Sequence, residues 1–205
     1  MYHFLGWYSR TFNPKYNIVA IDCGIKISSV KALNARGCDV TVVPYDTGAE
    51  EILALKPDGI FISGGPGDPE ELLCVIDTVK KIRGIKPILG TGNGASVIAL
   101  AYGCKTYAMK NGHNGSNHSI VDIKTGKISV EYQSFFYCID SESVKTTDLE
   151  ITHINGFDKT IEGVADKENY VLASFFIPDA FYDNTDNGNI YNKFIKTVSE
   201  VRKNA

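Results

Sequence analysis

The sequence predicts an α/β fold: an open, mostly parallel sheet with helices on both faces, plus a small antiparallel β section in the second half. Two observations lead to this prediction. Between about residues 17 and 105, short apolar runs alternate with segments of helical periodicity, and repeated strand–helix units of this kind build parallel sheets. After Lys105 the chain changes to short strands separated by turns, which is typical of antiparallel pairing.

The first half is predicted to contain four strands, each followed by a helix. The strands are continuous apolar runs, as expected for strands that are covered on both faces. The helices carry apolar residues at intervals of three and four. The predicted strands are 18–21, 39–43, 59–63 and 87–90, and the predicted helices are 28–36, 49–55, 70–83 and 94–102.

The second half is predicted to contain seven short strands and one final helix. The strands are 106–109, 120–123, 128–132, 135–139, 149–154, 160–164 and 171–175, and the helix is 190–201. Residues 17–205 are expected to form one domain. Residues 1–16 form an aromatic-rich segment, which we expect to pack against that domain, with docking to a partner as the alternative; its aromatic residues are Tyr2, Phe4, Trp7, Tyr8, Phe12 and Tyr16.

Composition excludes several classes of protein. The chain has 205 residues, is 43% hydrophobic and carries a net charge of −3, which fits one ordinary domain without a nucleic-acid-binding footprint. No apolar run reaches the length of a membrane helix, and the N-terminus lacks the features of a secretory signal. The five cysteines are odd in number and show no CxxC spacing. We therefore expect buried reduced thiols, a cytoplasmic location, no bound metal and no cofactor.

Ligands of parallel sheets bind in the loops at the carboxyl ends of the strands. Here those loops are 22–26, 63–69 and 90–94. The string Gly90-Thr-Gly-Asn-Gly-Ala95 fits the dinucleotide fingerprint, but it follows the fourth strand, and Met109-Lys110 stands where the acidic ribose partner is expected. A strand–turn–helix elbow explains it better, since Gly90 and Gly94 flank a central position that holds the nucleophile in hydrolases. That centre is Gly92.

The loop Ser63-Gly-Gly-Pro-Gly-Asp-Pro69 is the most specific string in the chain. Its glycines and prolines fix a tight turn with exposed backbone amides, which suits the binding of a developing oxyanion. A plain strand-to-helix turn, with Asp68 near a helix N-terminus and Pro69 in its first turn, explains the same residues. Both interpretations stay open from the loop alone.

Several strings together resemble the class I, triad-type glutamine amidotransferases, and most closely the glutaminase domain of the carbamoyl-phosphate synthetase small chain. The resemblance covers roughly residues 17 to 200. It implies a flavodoxin-like fold and a family activity in which a Cys–His–Glu triad hydrolyses glutamine and ammonia passes to a synthetase partner. The matching strings are Val19–Lys26, Gly59–Pro69, Gly103–Tyr107 and Gly112–His118, with weaker support from Ile151–His153 and Phe157–Gly163.

The resemblance also shows where this chain departs from its family. At the positions of the triad stand Gly92, Ile177 and Asp179. The positions that resemble the oxyanion loop are Gly65, Gly67 and Asn93, and the former glutamine-site positions are Ser96, Gln133, Ser134, Phe136 and Tyr137. Because the nucleophile and the base of the triad are both replaced, the sequence argues against glutaminase activity. Ile177 and its phenylalanine neighbours are expected to make the old pocket apolar and full.

The expected role is therefore a structural or regulatory module, partnered by a carbamoyl-phosphate-synthetase-type large chain or by a second copy of itself. Two alternatives remain. One is an active glutamine-hydrolysing subunit that uses other residues, such as Cys23 with His113 or His118. The other is a stand-alone binder of a small anion held by the glycine-rich loops. About 16 residues precede the first predicted strand, so we do not expect the separate amino-terminal domain of the family's small chain within this sequence, which is either a free-standing homologue or a piece of a larger protein.

Overall fold

The computed structural model describes residues 7–177 and 189–204. Its strands are β1 (Trp7–Ser9), β2 (Tyr16–Asp22), β3 (Cys38–Pro44), β4 (Gly59–Ile62), β5 (Ile88–Thr91), β6 (Thr106–Asp122), β7 (Ile128–Ile139), β8 (Glu150–Asn155), β9 (Ile161–Asp166) and β10 (Val171–Ser174). Its α-helices are α1 (Ile27–Ala35), α2 (Ala49–Ala54), α3 (Leu73–Ile82), α4 (Asn93–Ala101), α5 (Ser141–Val144) and α6 (Asn189–Asn204), and a 3₁₀ turn spans Pro69–Glu71.

Within these residues the strands form one sheet in the order β1-β3-β2-β4-β5-β10-β9-β8-β6-β7. Its centre, β3-β2-β4-β5-β10, is parallel throughout, with β10 returning from the second half of the chain to lie beside β5. Antiparallel strands extend the sheet on both sides: β1 next to β3, and β9, β8, β6 and β7 beyond β10. The predicted fold class is confirmed.

Alternate residues of the central strands face two separate cores. On β2, Val19 and Ile21 point into a cluster that is shared with α2, α3 and α4. Ile18 and Ala20 point to the other face, into a cluster with residues of α1 and α6. All four side chains are fully buried. Helices therefore cover both faces, and the apolar runs of the sequence follow from that double burial.

The largest difference from the sequence prediction lies in residues 106–139. Four short strands were expected there, with His113 and His118 in a loop, but the structure has one long hairpin of β6 and β7, and both histidines lie on β6. The pairing shifts between Ala108 and His113, and again between Gly115 and His118. Such bulges absorb the extra residues of β6, so a glycine- and asparagine-rich string that reads as a loop stays in the sheet.

The predicted helix 70–83 is interrupted near its start. Residues 69–71 form the 3₁₀ turn, and Leu72, with φ −82° and ψ 46°, separates it from α3. The carboxylate of Asp68 accepts a hydrogen bond of 2.9 Å from the amide of Glu70, and Pro69 follows as the first residue of the turn. This N-cap arrangement explains why the chain turns at Asp68.

Residues 7–9 of the aromatic segment join the sheet through their backbone, but the side chains of Trp7 and Tyr8 are exposed. Strand β1 pairs antiparallel with β3, and Trp7 lies opposite Val42, whereas the side chain of Phe12 is almost fully exposed. Tyr2 and Phe4 lie outside the described residues.

Cys104 and Cys138 are buried, but Cys74 is exposed, so the expectation of buried thiols is wrong for Cys74. No helix of the described residues is long and apolar enough to cross a membrane.

Candidate functional site

Three loops meet at the carboxyl ends of β2, β4 and β5. The amide of Cys23 donates a hydrogen bond of 2.9 Å to Ser63 Oγ, which joins the loop after β2 to the loop after β4. The side-chain amide of Asn93 donates one of 2.9 Å to the carbonyl of Gly67, which joins that second loop to the start of α4. A Cβ on Gly65 would lie 1.6 Å from the carbonyl oxygen of Cys23, so only glycine fits between the loops.

The turn from β5 into α4 has the geometry of an elbow. Gly92, at its centre, adopts φ 55° and ψ −126°, a conformation that other residues rarely adopt. Its neighbours must be small, because a Cβ on Gly94 would lie 2.3 Å from the carbonyl oxygen of Ile62 and one on Gly90 would lie 2.6 Å from the carbonyl oxygen of Gly94. The scaffold that presents a nucleophile in related folds is therefore present here with glycine at its centre.

The two replaced positions face each other. A Cβ on Gly92 would lie 3.4 Å from Gly64 Cα and 4.0 Å from Ile177 Cδ1, so the elbow has room for a side chain that would contact Ile177. The amide of Gly92 donates 2.8 Å to the carbonyl of Ser174, and the amide of Ile177 donates 3.0 Å to the carbonyl of Tyr132. These bonds fix both backbones. Asp179, the third position of the triad, lies outside the described residues.

A cavity of about 650 Å³ opens beside the elbow. The expectation that phenylalanines fill the old pocket is wrong: Phe175 and Phe176 are buried behind it, the first tilted against Phe135 at 5.9 Å between ring centres and the second edge-on to His153 at 5.5 Å. The lining is a mixture of glycine-rich loop and largely apolar wall. It consists of Gly24, Lys26, Ser29, Gly64, Gly65, Pro66, Gly67, Thr91, Gly92, Asn93, Ala108, Met109, Ser134, Phe135, Phe136, Tyr137 and Ile177.

Most of the site positions expected from the sequence come together at this cavity. It is lined by all the described triad and oxyanion-loop positions and by three of the glutamine-site positions, Ser134, Phe136 and Tyr137. Ser96 and Gln133 are buried and do not line it.

The lining side chains that sequence reasoning missed include Lys26 and Met109. Lys26 belongs to a loop that the strand-end rule had singled out, so its signal was present in the sequence. Nothing in the sequence indicated that Met109 would line the cavity, because its position depends on the shift in β6–β7 pairing that follows Ala108.

Buried His113 and half-buried His118 form a separate cluster. His113 Nε2 lies 2.8 Å from Asp158 Oδ2, and His113 Nδ1 lies 3.3 Å from Glu162 Oε1. The imidazole stacks on His118 with 5.0 Å between ring centres. The adjacent carboxylate of Glu162, aided by that of Asp158 and opposed by burial, raises the pKa of His113 to about 8. In residues 7–177 and 189–204 no group of three or more His, Cys, Asp or Glu side chains is placed to hold a metal ion.

Comparisons with known proteins agree with the family resemblance seen in the sequence. The family model described as glutamine amidotransferase class-I matches residues 19–197. The carbamoyl phosphate synthase small chain of Staphylococcus saprophyticus is 42% identical over 186 residues, which cover 91% of this chain and 51% of that protein. The protein of the same name from Fusobacterium nucleatum is 41% identical over 186 residues, covering 91% of this chain and 52% of its own length.

A solved structure supports the fold. A protein of Thermoplasma acidophilum, described as a putative GMP synthase subunit, superposes with a TM-score of 0.77 at 22% identity, covering 92% of this chain and 96% of that one. The chain thus matches one whole solved domain, while it spans about half the length of the small chains that it matches. With a family model over most of its residues and an elbow of the expected form, the chain belongs to the class-I glutamine amidotransferase family.

Proposed function

We propose that this chain is an amidotransferase domain of the carbamoyl-phosphate-synthetase small-chain type that does not hydrolyse glutamine and serves as a structural or regulatory module. One observation carries the proposal. At the centre of the elbow, where the family has its cysteine, stands Gly92, and the side chain in contact range of that position is that of Ile177. Neither offers an atom that can attack a carbon or accept a proton.

The missing pair matters because nucleophile and base act as a unit. A thiol attacks well only as a thiolate, which an adjacent base helps to form. Loss of one such member from a comparable triad lowers turnover by on the order of 10⁶. The backbone amides near Gly65 and Asn93 can still hold an oxyanion, but no oxyanion forms without an attacking group.

The alternative of an active enzyme with other residues finds no support in the site. The described lining of the cavity contains no cysteine and no histidine. Cys23 lies outside that lining, and burial, with a contribution from Asp22, raises the pKa of its thiol to about 12. His113 is occupied by Asp158 and Glu162. A neutral buried thiol and a separately paired imidazole do not make a nucleophile–base pair.

A partner role is supported by the relatives. The similar proteins are named as small chains of a synthase, which implies a large chain that carries out synthesis. An inactive small-chain domain would leave such a large chain to use free ammonia. Association with a second copy of this chain is the competing arrangement.

The test is reconstitution with a carbamoyl-phosphate-synthetase-type large chain from the same organism. We expect the two chains to co-elute in size-exclusion chromatography, and we expect carbamoyl phosphate to form with ammonium but not with glutamine. Synthesis from glutamine would refute the loss of hydrolysis. Failure to co-elute, with this chain running as a homo-oligomer, would refute the partner role.

A matched variant tests whether the residues at Gly92 and Ile177 cause the loss of glutamine hydrolysis. Gly92→Cys combined with Ile177→His places a thiol next to an imidazole, since the Cβ of the first would lie 4.0 Å from the present Ile177 side chain. Neither single variant supplies both groups. If the two positions explain the inactivity, any gain in glutamine-dependent synthesis appears only in the double variant.

A further inference from the structure

We propose that the cavity beside the elbow binds a small monocarboxylate with an apolar body, rather than glutamine. Its volume of about 650 Å³ lies within the usual range of small-molecule sites, roughly 300–1,000 Å³. This inference concerns the same pocket as the proposed function and rests on it, since it assumes that the elbow has lost its nucleophile. It goes further by naming a class of ligand, which the loss of the nucleophile does not by itself imply.

The charge of the cavity favours an anion. Among its described lining residues, Lys26 is the one charged side chain, and no aspartate or glutamate lines the wall. Within the described residues the ammonium of Lys26 has no carboxylate partner, and it lies 4.5 Å from the centre of the Tyr132 ring. Asn93, which begins α4, also lines the cavity, and the first amides of a helix have no intrahelical acceptor. One lysine can neutralise the single charge of a carboxylate. A phosphate carries more charge and is typically bound by arginine, and no arginine is among the described residues that line this cavity.

The carboxylate belongs at the Lys26 end of the cavity. Burial, together with the nearby carboxylate of Asp68, raises the pKa of the Tyr137 hydroxyl, so negative charge lies close to this end and disfavours an anion there. Tyr132, under the ammonium, and Tyr137 are five residues apart on β7, which is about 16 Å along a strand. The two ends are therefore well separated.

The rest of the wall favours an apolar body. Ile177, Met109, Phe135 and Phe136 belong to the apolar part of the lining, where a side-chain amide would need hydrogen-bond partners. The amide of Asn93 is already committed to Gly67, and Ser96 and Gln133 lie outside the lining. A polar amide buried without partners loses affinity, whereas an alkyl or aryl group gains it.

The experiment uses 3-phenylpropanoate as the probe, with 3-phenylpropanamide as its neutral match, acetate as a carboxylate without the body, and L-glutamine. Binding to the full chain is measured by titration calorimetry and by ligand-observed NMR. We expect the aryl carboxylate to bind at least about tenfold more tightly than each of the other three, and to bind more weakly as salt is raised.

Two lysine variants assign the carboxylate end. Lys26→Gln removes the rim cation and is expected to weaken 3-phenylpropanoate binding by about tenfold, as for a hydrogen bond to a charged group. Lys80→Gln, an exposed lysine of α3 outside the cavity, is the control and should bind as the parent does. Lys26 is exposed, so its replacement is not expected to affect folding.

Several outcomes would overturn the inference. Equal binding of the acid and the amide, or unchanged binding by Lys26→Gln, would remove the anion site. Tighter binding of glutamine without its hydrolysis would refute this ligand class and leave the proposed function standing. Hydrolysis of glutamine would refute the proposed function itself.

Discussion

At the scale of single residues, His113 shows how a residue from a family motif stabilises the fold. Its ring is buried between the carboxylates of Asp158 and Glu162, and Glu162 is fully buried and also accepts a hydrogen bond of 3.2 Å from Asn155. The charged imidazolium offsets the cost of burying a carboxylate. We therefore assign His113 to the joining of β6 with β9.

This arrangement predicts a loss of stability at alkaline pH. The folded pKa of His113, about 8, lies above its ordinary value of 6.5, so its contribution is complete below about pH 6.5 and is lost as the pH rises through 8. The shift corresponds to about 2 kcal/mol. Denaturant unfolding between pH 6 and 9.5 should show this loss in the parent chain and a flatter profile in His113→Gln.

His153 provides the matched control, because its pKa is shifted the other way. Burial, together with the nearby Lys193, lowers it to about 4. Its neutral form is therefore favoured in the folded state, and the corresponding stability is lost as the pH falls from 6.5 to 4. His153→Gln should alter the acid side and leave the alkaline side as in the parent. If His113→Gln and the parent share one alkaline profile, the assignment of His113 is wrong.

At the scale of elements, the elbow between β5 and α4 is fixed by two different properties of glycine. Gly92 needs its positive φ, and nothing blocks a side chain there. Gly94 needs its size, because the carbonyl of Ile62 on β4 lies where a Cβ would stand. The elbow thus brings α4 against the end of β4, and this close packing does not depend on a nucleophile.

Alanine substitutions separate the two properties. Gly94→Ala is expected to lower the free energy of unfolding by about 3 kcal/mol, since a backbone contact of 2.3 Å cannot be relieved by moving a side chain. Gly92→Ala should cost about 1–2 kcal/mol from its backbone conformation alone. Gly103→Ala, with φ 91° and no atom within 4 Å of its Cβ, is the control for a positive φ without a packing contact. Equal losses at Gly94 and Gly103 would contradict the packing argument.

At the scale of the whole molecule, the central sheet could be predicted from the sequence and the hairpin could not. Strands such as 18–21 are buried on both faces, so their apolar runs carry the information locally. The pairing of His113 with Phe135 depends on bulges in β6, and the position of their extra residues is set only by pairing with β7.

The candidate site, too, was only partly predictable from the sequence. The loops at strand ends and the elbow centre, Gly92, follow from topology and glycine spacing. The open cavity did not follow, because residue types at Phe175 and Phe176 suggested a filled pocket, while the backbone turns both rings into the core. Which way a side chain points was therefore the missing information.

The central claim is that the amidotransferase scaffold of this chain does not hydrolyse glutamine. The most direct measurement follows isotope-labelled glutamine by NMR with the purified chain at millimolar substrate over one day. We predict that glutamate and ammonium form no faster than in a sample without protein. Steady, protein-dependent release of ammonium in proportion to the amount of chain would contradict the claim.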